Sequence, residues 1–200
     1  MICYSIDAAK GAMEPGDVLC VSTDDSEIIQ VIQDYGIDIP FKRPDNLATD
    51  TANTKQVIAH AIEWYNLRGY VFDVIILLQP TSPLRNAIHV KEALRLWSKE
   101  IDMVVSVKVT DSNPYYILFE EDENGLLKKS KDGEFTRRQD CPEVYELNGA
   151  IYIINALTFL DKTKVENKNR KYLMNKIDSI DVDDEVDFYT AEIVLTKRCL

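Results

Sequence analysis

Residues 73–85 read Asp73-Val-Ile-Ile-Leu-Leu-Gln79-Pro-Thr-Ser-Pro-Leu-Arg85. Five apolar residues, Val74 to Leu78, run without a break. Such a run suits a strand buried on both faces of a parallel sheet. It stops at a polar loop in which Pro80 and Pro83 stiffen the backbone and remove two donors. Open α/β sheets place ligands at the carboxyl ends of their strands. Gln79, Thr81, Ser82 and Arg85 are therefore candidates for recognising something polar. The alternative is an ordinary rigid strand-to-helix turn.

The flanking sequence alternates strand and helix patterns. Ile2 to Ala12 reads as a helix and Val18 to Ser22 as a short strand. Ser26 caps a helix from Glu27 to Tyr35 that stops at Gly36. Ile37 to Phe41 reads as a second strand. A helix opens at Asn53 or Thr54 and runs through Leu67, and Asn86 caps another to about Trp97. Met103 to Val109 is a further strand. This rhythm predicts an α/β fold: a three-layer, doubly wound, mostly parallel sheet. The rhythm breaks at Pro114 to Lys131, a hairpin turning at Asn124-Gly125. A long strand from Val144 to Ile154, a late strand from Tyr172 to Ile177 and a helix from Glu185 to Thr196 complete the chain. The expectation is one domain over residues 1–200, with an excursion over 110–146.

Composition narrows the function classes. A formal charge of −11 argues against a nucleic-acid surface, which needs basic clusters. No apolar run approaches the ~20 residues of a membrane span. No secretion signal is legible at the amino end, so a cytoplasmic protein is expected. Cys3, Cys20, Cys141 and Cys199 are scattered and only two histidines, His60 and His89, are present. Zinc-type clustering is absent, and reduced thiols are expected.

Two further segments carry chemistry. In Asp178-Ser-Ile-Asp181-Val-Asp183-Asp184, Asp181 and Asp183 fall on one side of an extended chain. Paired carboxylates suit Mg²⁺, which shares its shell with waters and phosphates. The alternative is a capping cluster that complements the dipole of the helix that follows. Arg137-Arg138-Gln139 precedes Asn148-Gly149-Ala150-Ile151-Tyr152. Arginine pairs carboxylates bidentately. Gly149 within a strand suggests close approach of a ligand or backbone. Even spacing places Asn148 and Tyr152 on one strand face. A local arginine pair in an acidic chain suits a small anion; the alternative is a surface pair.

Five segments in order resemble the CMP-sialic acid synthetases, or acylneuraminate cytidylyltransferases. They are Ser22-Thr-Asp24, Arg43-Pro-Asp-Asn-Leu-Ala-Thr-Asp50-Thr-Ala52, Gln79 to Arg85, Arg138-Gln139 with Asn148 to Tyr152, and Ser179-Ile-Asp181-Val-Asp183. The resemblance implies a nucleotide-diphospho-sugar transferase-like fold. It implies transfer of CMP from CTP to a nonulosonic acid of the N-acetylneuraminic or legionaminic type, with pyrophosphate leaving. By this resemblance Arg43, Ala52, Thr54 and Gln79 lie on the nucleotide side. Gln79, Ser82, Arg138, Gln139, Asn148 and Tyr152 lie on the sugar side. Asp181 and Asp183 are the catalytic, Mg²⁺-holding pair, and the hairpin is a homodimerisation arm.

The chain departs from the family pattern at its amino end. The family's first strand and its Gly- and Lys-bearing phosphate loop are not found ahead of Ile2. The expectation is that this 200-residue form transfers weakly or not at all. Two other classes remain open: a sugar-acid-binding or dimer-partner protein without catalysis, and a cytidylyltransferase for another sugar acid.

Overall fold

The computed structural model describes residues 1–49, 51–161 and 167–198; Asp50 and Cys199 lie outside the described residues. In chain order the elements are α1 (Ile2–Ala12), α2 (Ser26–Asp34), α3 (Thr54–Asn66), β1 (Val74–Leu78), α4 (Ala87–Arg95), β2 (Met103–Val109), β3 (Phe119–Glu121), β4 (Leu127–Lys129), β5 (Tyr145–Asn155), α5 (Ala156–Phe159), β6 (Asn169–Leu173) and α6 (Glu185–Arg198). Short 3-10 turns occupy Asp45–Leu47 and Arg138–Asp140.

The main sheet has the order β1-β5-β2-β6. β5 runs antiparallel to both of its neighbours, and β2 pairs β6 in parallel. The sheet is therefore mixed, which corrects the mostly parallel expectation. The reason is β5, which enters from the excursion against the direction of β1 and β2. Helix α4 carries the crossover from β1 to β2. The core beneath it holds Val90, Ala93, Val104, Ile151 and Ile153. On a second cluster, Ile58 and Ile62 of α3 meet Ile154, with Ile75, Leu77 and Met103 packed around them.

Two expected strands form no ladder. Val18–Ser22 and Ile37–Phe41 are extended and pack by side chains, with Leu19, Val21 and Ile39 set against Ile6, Ile32 and Ile37. Among the described residues no strand pairs with either segment. Among the described residues β1 likewise pairs only with β5, and its central Ile76 stays 38% exposed instead of buried on both faces. The last strand falls earlier than expected, at Asn169–Leu173, because its backbone pairs with β2 before its apolar residues begin. Asp25, not Ser26, caps α2, with its Oδ1 accepting from the N–H groups of Glu27 (2.7 Å) and Ile28 (3.1 Å). The hairpin is shorter than expected because Pro114 to Ile117 form turns. β3 and β4 pair as a separate two-stranded sheet with Phe119 and Leu127 exposed. Among the described residues no helix is long and apolar enough to cross a membrane.

Candidate active site

The loop after β1 sets the site. Arg85 is 2% exposed and grips this loop from within. Its Nη2 donates to the carbonyl of Gln79 (2.8 Å) and to Ser5 Oγ of α1 (2.7 Å), and its Nε donates to the carbonyl of Ala150 (3.3 Å). Arg85 thus braces the loop from within and does not line the groove described below. The acidic segment docks on the same loop, because the Val182 N–H donates to the carbonyl of Thr81 (2.8 Å). That bond places Asp181 and Asp183 on either side of a residue tied to the carboxyl end of β1.

A bulge in β5 completes the arrangement. The β2–β5 register shifts between Val105, opposite Tyr152, and Val107, opposite Leu147, so Asn148 to Ala150 leave the ladder. Ser106 restores part of what the ladder loses. Its hydroxyl donates to Asn148 Oδ1 (2.6 Å) and accepts from the Ile151 N–H (2.8 Å). Asn148 Nδ2 donates to Ser179 Oγ (2.9 Å), which ties the bulge to the acidic segment. Bulges re-aim a strand locally and recur beside active sites. Here the bulge holds Gly149 at φ +72 against Gln79 and Asp181. A Cβ there would lie 2.9 Å from Gln79 Oε1 and 3.2 Å from Asp181 Oδ2. Only a glycine leaves room for those two polar groups to converge.

Asp181 Oδ1 is buried and has no hydrogen-bond partner among the described residues. Buried carboxylate oxygens are normally satisfied, so this one is available to a bound group. Tyr152 sits nearby, its phenol pushed up by burial and then by the charge of Asp181. It therefore remains a hydrogen-bond donor at neutral pH. Thr54, Gln79 and Tyr152 line one open groove of about 240 Å³, whose walls include Ile58, Leu77 and Phe159.

Comparison with known proteins shows the family. The family model described as Cytidylyltransferase matches residues 1–192. The chain belongs to the cytidylyltransferase family. It is 32% identical to post-translational flagellin modification protein B of Campylobacter coli, over 100% of this chain and 86% of that protein. It is 31% identical to the CMP-N,N'-diacetyllegionaminic acid synthase of Campylobacter jejuni, over 100% of this chain and 86% of that protein. It is 32% identical to the N-acylneuraminate cytidylyltransferase of Escherichia coli O18:K1:H7, where it covers 99% of this chain but spans only 46% of the longer relative. In fold it resembles a CMP:2-keto-3-deoxy-manno-octonic acid synthetase solved with CTP. The TM-score is 0.65 at 12% identity, with 98% of this chain and 88% of that one covered.

Other residues expected at the site of this cytidylyltransferase are distributed unevenly. Arg43 folds back on its own neighbourhood, with Nε donating to Ser22 Oγ (3.2 Å) and Nη2 to the Ser22 carbonyl. Ala52 lies in the turn before α3, its N–H donating to the Thr49 carbonyl (2.9 Å). Ser82 is fully buried, and its Oγ lacks a partner among the described residues. Arg138 pairs with Asp111 (2.8 Å) on the excursion, and Gln139 lies exposed beside it in the 3-10 turn. Asn148 and Tyr152 do not share a face, because the bulge separates them. Asn148 turns into the interior and Tyr152 into the groove. Met103 and Phe159 of the groove wall were not read from the sequence. Met103 sits in the β2 register opposite Ile154, and Phe159 belongs to α5, which at four residues is too short to show a helical period.

Proposed function

We propose that this cytidylyltransferase transfers CMP from CTP to a nonulosonic acid of the neuraminate or legionaminate type. The observation that carries the reading is the convergence of Gln79, Gly149 and Asp181 at the carboxyl end of β1, with Asp181 Oδ1 unpaired. The names of the relatives supply the substrate class, since they include N-acylneuraminate and diacetyllegionaminate enzymes.

In this reading the anomeric hydroxyl of the sugar attacks the α-phosphorus of CTP in line, and pyrophosphate leaves. Such transfer depends on positioning and electrostatics more than on a nucleophilic side chain. Gln79 and Tyr152 orient the sugar through an amide and a protonated phenol. Thr54 and Ala52, at the start of α3, flank the nucleotide, with Arg43 on the same side. Arg138 and Gln139 approach from the excursion to meet the sugar's carboxylate. Ser82 and Asn148 serve from beneath, holding the loop and the bulge in place.

The donors fit Mg²⁺. No group of three or more His, Cys, Asp or Glu among the described residues is arranged to hold a metal. Mg²⁺ needs less, because one or two carboxylates and the substrate phosphates suffice. Asp181 and the exposed Asp183 would supply the protein's share. When bound, the ion neutralises charge that develops on the phosphates. The exposed apolar hairpin supports a homodimer, with β3–β4 as the contact.

The test is formation of CMP-sugar from CTP in a single turnover, with protein in excess so that slow transfer is still visible. N-Acetylneuraminate, N,N'-diacetyllegionaminate and 3-deoxy-manno-octulosonate are compared. Product with either of the first two supports the reading. Product with the third alone overturns the substrate class, and product with none overturns the transferase reading.

A further inference from the structure

A second opening shares no lining residue with the groove. It is a cleft of about 370 Å³ between α1, the loop that enters α4, and the end of α6. Its walls are largely apolar, with Ala8, Leu84 and Leu195 among them. Asp7, Arg85 and Arg198 also line it.

Arg85 is the unusual member. Three of its N–H groups are spent on the carbonyls of Gln79 and Ala150 and on Ser5 Oγ, but Nη1 is buried with no partner among the described residues. No described carboxylate forms an ion pair with it. Burying a charge without a counter-charge is strongly unfavourable. Burial alone lowers the Arg85 pKa to about 10, which leaves it charged at neutral pH. The carboxylates nearby are committed elsewhere. Asp178 accepts from Arg198 and Asn175 and faces His89 at 3.5 Å. Asp7 accepts from the Tyr35 hydroxyl at 2.8 Å. Glu92 accepts from the Tyr172 hydroxyl at 2.6 Å. Among the residues that line the cleft, two guanidinium groups stand beside one carboxylate, that of Asp7, in a chain whose formal charge is −11.

We propose that this cleft binds a small oxyanion, a carboxylate or a phosphate, between Arg85 and Arg198. The anion accepts from Nη1 of Arg85 and compensates its buried charge. Because the other N–H groups of Arg85 hold the Gln79 and Ala150 carbonyls, the anion steadies the candidate active site from behind. The inference does not depend on which sugar, if any, the groove accepts.

The test follows the arginine Nε–H signals of ¹⁵N-labelled protein by NMR at constant ionic strength. Inorganic phosphate and acetate are added separately. The expected result is a saturable shift of the Arg85 signal with a dissociation constant of about 1 mM or tighter. Arg198→Gln lies outside the transfer machinery and is expected to weaken binding roughly tenfold, a loss of ~1.4 kcal/mol. Tighter saturation by phosphate assigns a phosphate ligand, and tighter saturation by acetate assigns a carboxylate. A shift that stays linear for both anions overturns the proposal. So does saturation with the same constant in Arg198→Gln.

Discussion

Gly149 is under two constraints at once. Its φ of +72 is rarely adopted by other residues, and an added Cβ would press on Gln79 and Asp181. Gly149→Ala is expected to cost about 1–2 kcal/mol in denaturant unfolding. It should also weaken sugar-acid binding by displacing the Gln79 amide; unchanged affinity would show that Gln79 does not touch the sugar. His89 gives a second residue-level prediction. Its pKa is lowered from 6.5, first by burial, with Arg198 and Arg85 adding to the effect and Asp178 and Glu92 opposing it. The unfolded chain then binds the proton more readily than the folded one. Stability is full above the unfolded pKa and falls as the pH drops below it. His89→Gln keeps a side-chain acceptor for the Asn86 N–H and should flatten the fall in Tm on acidification from neutral pH. At this scale the sequence pointed to Gln79, Tyr152 and Asp181, and the structure brings Gln79 and Asp181 together at Gly149 and sets Gln79 and Tyr152 in one groove. The bracing of the loop by Arg85 was not legible, because nothing in the sequence tells a buried guanidinium from an exposed one.

β5 is the element on which the site depends. Asn148 is 3% exposed, and its amide joins Ser106 of β2 to Ser179 of the acidic segment. Asn148→Ala should cost about 2 kcal/mol, since it removes buried hydrogen bonds to Ser106, Ser179 and the Ala150 N–H. It should also slow transfer without altering any group that faces the groove. Wild-type transfer in a destabilised Asn148→Ala protein would show that the bulge holds its shape without this network. β1 and β2 were legible to the residue, because short segments rich in Val and Ile and bounded by polar residues suit strands. The bulge was not, because Asn148 and Tyr152 carry an even spacing that a regular strand would put on one face. Val18–Ser22 and Ile37–Phe41 show the opposite case. Their patterns suit strands, yet a ladder needs a neighbour's N–H and C=O groups, and pattern alone does not supply one.

At the scale of the whole molecule, the β3–β4 hairpin stands apart from the main sheet, with Ile117, Leu118, Phe119 and Leu127 exposed. An isolated two-stranded hairpin is marginal in water, so a partner surface would stabilise it. Sedimentation equilibrium is expected to give a dimer, and the double variant Phe119→Glu, Leu127→Glu a monomer. A monomeric wild type would remove the homodimer from the proposal. The alternation of strands and helices made the α/β class legible, and the mixed sheet was hidden only because β5 returns through the excursion. The central claim is that Asp181, aimed at the space beside Gly149 and Gln79, serves CMP transfer. It is tested by single-turnover formation of CMP-sugar from CTP, Mg²⁺ and N-acetylneuraminate or N,N'-diacetyllegionaminate, with wild type set against Asp181→Asn. The expected result is product from the wild type and a rate at least ~10²-fold lower in the variant, whose fold is unchanged by circular dichroism. Equal rates in the two proteins, or no product from the wild type with either sugar, would contradict it.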